Sequence, residues 1–380
     1  MTRPVYLDYN ATTPVAPEVA EAIHPFLHEA FGNPSSAHAF GQRARDAVVR
    51  AREHVAALIN AAPMEIVFTS CATEANNMAL LGVAAKARSE RRHLVVSAVE
   101  HPAVMQPALH LQRRGWEVSI VPVDARGRVS PAAVAATLRP DTALVSIMHA
   151  NNEVGTIQPV AEIAALTRPR GILLHTDAAQ SAGKIAVDVD ALGVDLLTLA
   201  GHKFYATKGI GALYVRTGTP IGSIVFGADQ EHGLRPGTEN VPAIVGLGAA
   251  ARLARERLPE ATAHLRRLRE RLHALLAEAI PGLVLNGDAH ARLPNTLHVS
   301  FPGVTGRLLL QEAGAEVAAS VGSACHSEHD TVSGILAAMG IDSVRAAGAV
   351  RLSVGWMTTE DDLARAAAGL IGAWRRSVVQ

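Results

Sequence analysis

The segment SVGSACHSEHD, Ser320 to Asp330, carries Cys325, one of only two cysteines in the chain, among small and polar residues. His326, Glu328, His329 and Asp330 follow it closely. A thiol in this setting can be a nucleophile, a metal ligand or an ordinary loop residue. The spacing of Cys325, His326 and His329 matches no common closed zinc site, so no metal is expected there. A free thiol is only a few per cent ionised at neutral pH, so use as a nucleophile would need assisted deprotonation, by substrate or by a histidine.

A second group of reactive residues follows apolar runs. DLLTLAGHKFY puts Lys203 after one such run, preceded by His202, and GILLHTDAAQ puts Asp177 after another, with Gln180 close behind. A lysine at the end of an apolar strand is costly unless its amine has a partner or is used. Keeping it neutral near pH 7 means lowering its pKa from ~10.4 by about three units, roughly 4 kcal/mol of environment. Sites accept that cost when the amine must form a Schiff base. HLVVSAVEHPAV adds Glu100 and His101, and SIMHANNEVG adds Asn151, Asn152 and Glu153, all readable as structural or turn residues when taken singly. EIVFTS runs into SCATEANN, a small-residue turn opening a helix. Free N–H groups there can cradle a phosphate, with the Thr73 hydroxyl as a further donor; the simpler reading is an N-cap by Ser70 or Thr73. Together these are the parts that pyridoxal phosphate requires: an amine tether, a carboxylate for the ring nitrogen and a helix end for the phosphate.

The elements that must position them alternate. EIVFTS, HLVVSA, EVSIVPV, TALVSIM, GILLHTD and DLLTLAG read as strands, separated by Ala-rich amphipathic stretches. That alternation predicts an α/β fold, a mostly parallel sheet with helices on both faces and ligands at the carboxyl ends of the strands. After about residue 250 an Arg/Glu-rich helical stretch leads into LVLNG, NTLHVSF and AVRLSVG, a smaller α+β unit. We expect a large domain over 15–252 and a small one from 1–14 and 253–380, the latter carrying the loop 320–334. The length of 380 residues suits this division. Equal numbers of basic and acidic residues, 35 each, leave no footprint for nucleic acid or an anionic membrane. No uncharged apolar run is long enough to span a bilayer, and MTRPVYLDYN lacks the apolar core of a secretory signal. Two cysteines make no disulfide framework, which suits a reducing cytoplasm.

Along nearly its whole length the chain resembles NifS-type cysteine desulfurases, of the class V aminotransferase family of pyridoxal-phosphate enzymes. The motifs include YLDYNATTPV, FGNPSSAH, FTSCATEANN, EHPAV, ANNEVGTIQPV, HTDAAQSAGK, GHKFY, KGIGALYVR, LRPGTENV, PNTL, GSAC and VRLSVG. The resemblance implies a fold-type-I transferase with pyridoxal 5'-phosphate as cofactor and L-cysteine as substrate. It makes Lys203 the Schiff-base lysine, Asp177 the partner of the ring nitrogen, Gln180 a contact of the ring hydroxyl, and His101 a stacking and proton-transfer residue. Ala72, Thr73 and His202 would hold the phosphate. Thr238 would reach the cofactor of a neighbouring subunit, implying a homodimer. Asn152 and Arg351 would hold the substrate carboxylate, a task that suits a forked guanidinium. Cys325 would take the sulfur as a persulfide, Gly322 and Gly334 giving its segment backbone freedom.

Departures from the family pattern are Cys71 for a glycine, Ala200 for a serine, Gly227–Glu231 for a GGGQE loop, and Val332-Ser333 for Pro-Ser. ACHS is also similar to selenocysteine lyases, which stand as the alternative. A cofactor-binding scaffold without activity is the alternative of another class, opposed by the retained Lys203, Asp177, His101, Cys325 and Arg351. Delivery of sulfur is expected to a protein acceptor rather than to nucleic acid directly.

Overall fold

The computed structural model describes residues 3–322 and 333–378. The twelve strands among the described residues are β1 (Val5–Tyr6), β2 (Ile66–Thr69), β3 (His93–Ser97), β4 (Glu117–Val121), β5 (Thr142–Ser146), β6 (Leu173–Asp177), β7 (Leu196–Ala200), β8 (Gly211–Val215), β9 (Val284–Leu285), β10 (Thr296–Ser300), β11 (Val317–Ala318) and β12 (Ala349–Ser353). Seven of them form one sheet in the order β2-β8-β7-β6-β5-β3-β4. All pairs are parallel except those made by β8, which runs against both β2 and β7. The six strands expected from the apolar runs are all present, and β8 joins them from KGIGALYVR. Every residue of β2, β3, β5 and β7 is buried, as strands covered on both faces must be. Only the edge strand β4 is largely open to solvent.

Because β2, β3, β5, β6 and β7 point the same way, their carboxyl ends share one edge of the sheet. Polar His93 and His175 sit within it as neutral, hydrogen-bonded residues: His175 meets Ser146 Oγ at 2.8 Å and Thr198 Oγ1 at 3.1 Å, and burial pushes its pKa down to about 4.

The antiparallel sheet β12-β10-β9 and the parallel pair β1-β11 belong to a second core. One helix, Val241–Ala279, serves both cores. Its first half, through Ala254, packs on the large sheet, and Leu265, Leu268, Leu272 and Leu276 pack into the second core. The exchange occurs across the mostly exposed stretch 255–260, where Pro259 lacks the N–H for one rung of the helical ladder. Tyr205 links the two cores as well: its hydroxyl accepts from Trp356 N at 2.6 Å, and its ring stacks on Trp356 at 3.9 Å. Among the described residues no helix is long and apolar enough to cross a membrane.

Candidate functional site

The carboxyl ends of the parallel strands open into a cleft of about 270 Å³, closed from the other side by Asn10, Ala11 and Arg351. Lys203 and His202 line it from the turn after β7, Asp177 from the last position of β6, and Gln180 from the turn that follows. Ala72 and Thr73 enter after β2, His101 after β3 and Asn152 after β5. Thr238 is exposed and does not line this cleft. Cys325 lies outside the described residues.

Lys203 ends the short 3-10 turn Gly201–Lys203, where the chain leaves β7 before reversing into β8. Its amine donates to the carbonyls of Asn10 at 2.6 Å and Ala11 at 2.8 Å. The following turn is held by an unusual backbone: Tyr205 has φ 72°, and its N–H donates to Thr13 Oγ1 at 2.9 Å. A side chain with a Cβ adopts that region only when its surroundings enforce it. Asp177 is the last residue of β6 and is buried; Oδ1 accepts from Ala179 N at 2.9 Å and Oδ2 from Asn76 Nδ2 at 2.7 Å. Gln180 sits in a turn rather than a helix, with Nε2 donating to Asn10 O at 3.0 Å.

At the other end of the cleft begins the helix Ala72–Lys86. Neither Ser70 nor Thr73 caps it; the N-cap residue is Cys71, without a side-chain cap. Glu74 instead reaches back to the Ser70 N–H and pairs with Arg235 at 3.1 Å. The helix therefore presents its first-turn amides and the positive end of its dipole to the cleft. Gly211 lets this turn approach: a Cβ there would lie 2.8 Å from Cys71 C and 2.7 Å from Leu199 O. His202 meets Thr12 Oγ1 at 3.1 Å. Burial, reinforced by Lys203, Lys208 and Lys184, pushes the His202 pKa down to about 4, so its ring is neutral at pH 7. Such a set of donors suits a phosphorylated carbonyl compound.

His101 caps the helix Pro102–Arg113 by accepting from Ala103 N at 3.1 Å through Nδ1. In the neutral ring the proton then sits on Nε2. Beside it, Glu100 is buried, with Oε1 accepting from Ser97 Oγ at 2.6 Å and Met148 N at 2.9 Å, while Oε2 has no partner among the described residues. Burial pushes its pKa up to about 8, and the Asp177 charge adds to the rise. The folded state thus holds a proton on Glu100 that the unfolded chain gives up near its ordinary pKa of 4.5. The stability this contributes is complete below that value and is lost as pH rises toward 8. Urea melts of wild type and Glu100→Gln between pH 5 and 9 should show it. The wild type should lose on the order of a few kcal/mol more than the variant across that range. Parallel losses would mean that Glu100 does not titrate in this window.

Arg351, on β12, is 2% exposed. Its guanidinium donates to Asp8 Oδ1 at 2.7 Å and Asn152 O at 3.0 Å, and its buried Nε has no partner among the described residues. Part of the fork assigned to a substrate carboxylate is therefore already taken by Asp8. Gly334 also departs from expectation: it opens the helix Gly334–Ala338, capped by Ser333, whose hydroxyl donates to Glu153 at 2.6 Å. A serine at that position supplies the cap which fixes the glycine's conformation.

Three residues at this site were not singled out in the sequence. Asn10 is the hub, bonded through its backbone and amide to Lys203, Gln180, Lys184, Asn295, Thr296 and Ser353. Asn76 supports Asp177 from the second turn of its helix, and buried Lys184 lies behind Gln180. Asn10 and Asn76 gave no local signal, since their partners are far away in sequence. Lys184 could have been noticed as one of only four lysines, following a run of small residues.

The chain matches the aminotransferase class-V family over residues 5–365. It is 46% identical over 364 residues to the cysteine desulfurase IscS of Dictyoglomus turgidum, covering 96% of this chain and 92% of that one. Among solved structures, a NifS-like protein superposes with a TM-score of 0.92 at 39% identity, covering 98% of this chain and 99% of the other. A structure of SspA in complex with cysteine superposes with a TM-score of 0.84 at 37% identity, covering 93% and 99%.

Proposed function

The chain belongs to the aminotransferase class-V family and, within it, to the NifS-type cysteine desulfurases, and on that premise we propose that its cleft binds pyridoxal 5'-phosphate and converts L-cysteine to alanine, the sulfur passing to Cys325. One observation carries this reading: the Lys203 amine, the Asp177 carboxylate and the uncapped end of the helix Ala72–Lys86 open into a single cleft. Those groups fit the cofactor's aldehyde, ring nitrogen and phosphate, and Arg351 lines the same cleft as a cation suited to a substrate carboxylate.

When bound, pyridoxal phosphate supplies an electron-withdrawing ring that weakens bonds around the substrate Cα. Lys203 would anchor it, Asp177 would keep its ring nitrogen protonated, and Gln180 would donate to its ring hydroxyl. The first-turn amides near Ala72, with Thr73 and His202, would hold the phosphate. His101 would stack on the ring and exchange a proton through Nε2. Asn152 and Arg351 would orient the substrate carboxylate. The Cys325 thiolate attacks the substrate sulfur; an S–S bond forms as the Cβ–S bond breaks, and the carbon keeps the electron pair, takes a proton and leaves in alanine. The exposure of Thr238 supports a role toward a second copy, as a homodimer requires. We assign the protein to the reducing cytoplasm, where a thiol persists, and its persulfide to a protein acceptor.

The test is a paired assay on purified, reconstituted protein. L-cysteine with added thiol should give alanine and sulfide in equal amounts. Cys325→Ala should stay yellow yet lose sulfide production on the order of a hundredfold or more. Selenocysteine run beside cysteine decides between the two lyase activities: faster turnover of selenocysteine that survives Cys325→Ala would reassign the enzyme. Protein that stays colourless after reconstitution ends the reading altogether.

A further inference from the structure

Among the described residues the carboxylate that meets Arg351 is Asp8, with Nη2 donating to Oδ1 at 2.7 Å. The proposed chemistry gives Asp8 no part. Its main chain is fixed from two sides: the Leu7 N–H donates to Ala318 O at 2.8 Å, and the Ser353 N–H donates to Leu7 O at 2.7 Å. Val5, Leu7 and Tyr9 are buried, so alternation along this extended segment turns Tyr6 and Asp8 to the other face. Arg351 is tied down as well, its N–H donating to Ser320 O at 2.7 Å from the middle of β12. With both main chains fixed, the direction of the guanidinium is set by its own acceptors, Asp8 at Nη2 and the Asn152 carbonyl at Nη1, 3.0 Å away. Each of those nitrogens keeps a second N–H, and Arg351 lines the cleft.

A buried ion pair stabilises a fold no better than apolar side chains of similar volume, so stability alone does not account for this one. What an acceptor at Asp8 adds is direction. An arginine side chain has many rotamers to lose, and a carboxylate gains most from its two parallel N–H bonds when the guanidinium plane is already presented.

We propose that Asp8 is a positioning residue for substrate recognition: it pins one edge of the Arg351 guanidinium so that the remaining N–H groups meet the carboxylate of an α-amino acid in the cleft. The proposal rests on the reading of Arg351 as a substrate-binding residue. Two variants separate place from charge. Asp8→Asn keeps an acceptor oxygen where it stands and removes the charge. Asp8→Glu keeps the charge but is longer by one methylene, so it moves the guanidinium. The measurement is the absorbance of the reconstituted protein during titration with L-alanine and with ethylamine, which differ only in the carboxylate. Wild type should prefer L-alanine by on the order of a hundredfold. Asp8→Asn should keep that preference within about threefold. Asp8→Glu should lose about tenfold of it, through weaker binding of alanine with ethylamine unmoved. Asp8→Ala, which has no acceptor, should fall as far, and it decides the matter if the Glu variant does not fold. A preference retained in both of these, or lost equally in Asp8→Asn, overturns the proposal. So does equal weakening of both ligands, the mark of a merely structural role, and so does a rise in Asp8→Asn, which would make Asp8 a competitor of the substrate. Arg351→Lys tests the reading beneath. If it keeps the full preference, the carboxylate is recognised elsewhere and both readings fall; a loss there beside unmoved Asp8 variants removes the Asp8 role alone.

Discussion

Lys203→Ala is expected to leave a folded protein that acquires no yellow colour and forms alanine from cysteine at least about a thousandfold more slowly, because the amine is both the anchor and a proton carrier. The structural cost should be small. Lys203 donates to the carbonyls of Asn10 and Ala11 and lies in a cleft that water can enter. Each lost bond costs about 1 kcal/mol, so the melting transition should move by only a few degrees. Lys203→Arg keeps a cation and donors for both carbonyls but cannot condense with an aldehyde at neutral pH; it should be as colourless and as slow as the alanine variant. Absorption spectra with and without borohydride, and alanine quantified by chromatography, check these outcomes. A Lys203→Ala protein that still holds the cofactor covalently would show that another amine is the anchor, and Lys184 would be the first to examine.

The second large effect is at Arg351, where stability and binding separate between two variants. Arg351→Ala leaves the Asp8 carboxylate without its guanidinium donor, and the Asn152 carbonyl with the Asn10 amide at 3.2 Å, inside a β12 environment that is otherwise closed. Breaking a buried pair from one side costs about 3–5 kcal/mol; Asp8 keeps 19% exposure, so the lower end is expected. Arg351→Lys retains a positive charge for Asp8 but loses the planar fork that can serve Asp8 and a substrate carboxylate together. Its melting temperature should stay close to wild type. KM for cysteine should rise by roughly tenfold to a hundredfold with kcat changed much less, the pattern of lost uniform binding. An unchanged KM in the lysine variant would make Arg351 a structural brace that holds Asp8 and the segment of Asn152, and would move substrate recognition elsewhere in the cleft.

Much of this protein was legible from order along the chain. Apolar runs of strand length, each followed by a polar residue at its carboxyl end, announce a parallel sheet and the edge where its ligands bind. That is local information, since a buried strand writes its burial into consecutive residues. Asp177, Lys203, His101 and Asn152 were visible because each interrupts or follows such a run. The antiparallel course of β8 was not visible. Its five residues read like any other buried strand, and direction is set by the short connection through Lys203 and the strained Tyr205.

What the tertiary structure alone decided is which side chains hold the reactive ones in place. Asn10 precedes the large sheet by more than fifty residues of chain, yet its oxygens collect Lys203, Gln180 and Lys184. Asp8 occupies half of the Arg351 fork, Asn76 steadies Asp177, and Glu100 keeps a proton behind it. None of these pairings has a sequence period or a spacing rule. Their strength comes from exclusion of water, and burial is a property that the chain acquires only when distant segments close over the same cleft. Residue types thus declared the chemistry available to this protein, and packing determined the protonation and direction in which each group offers it.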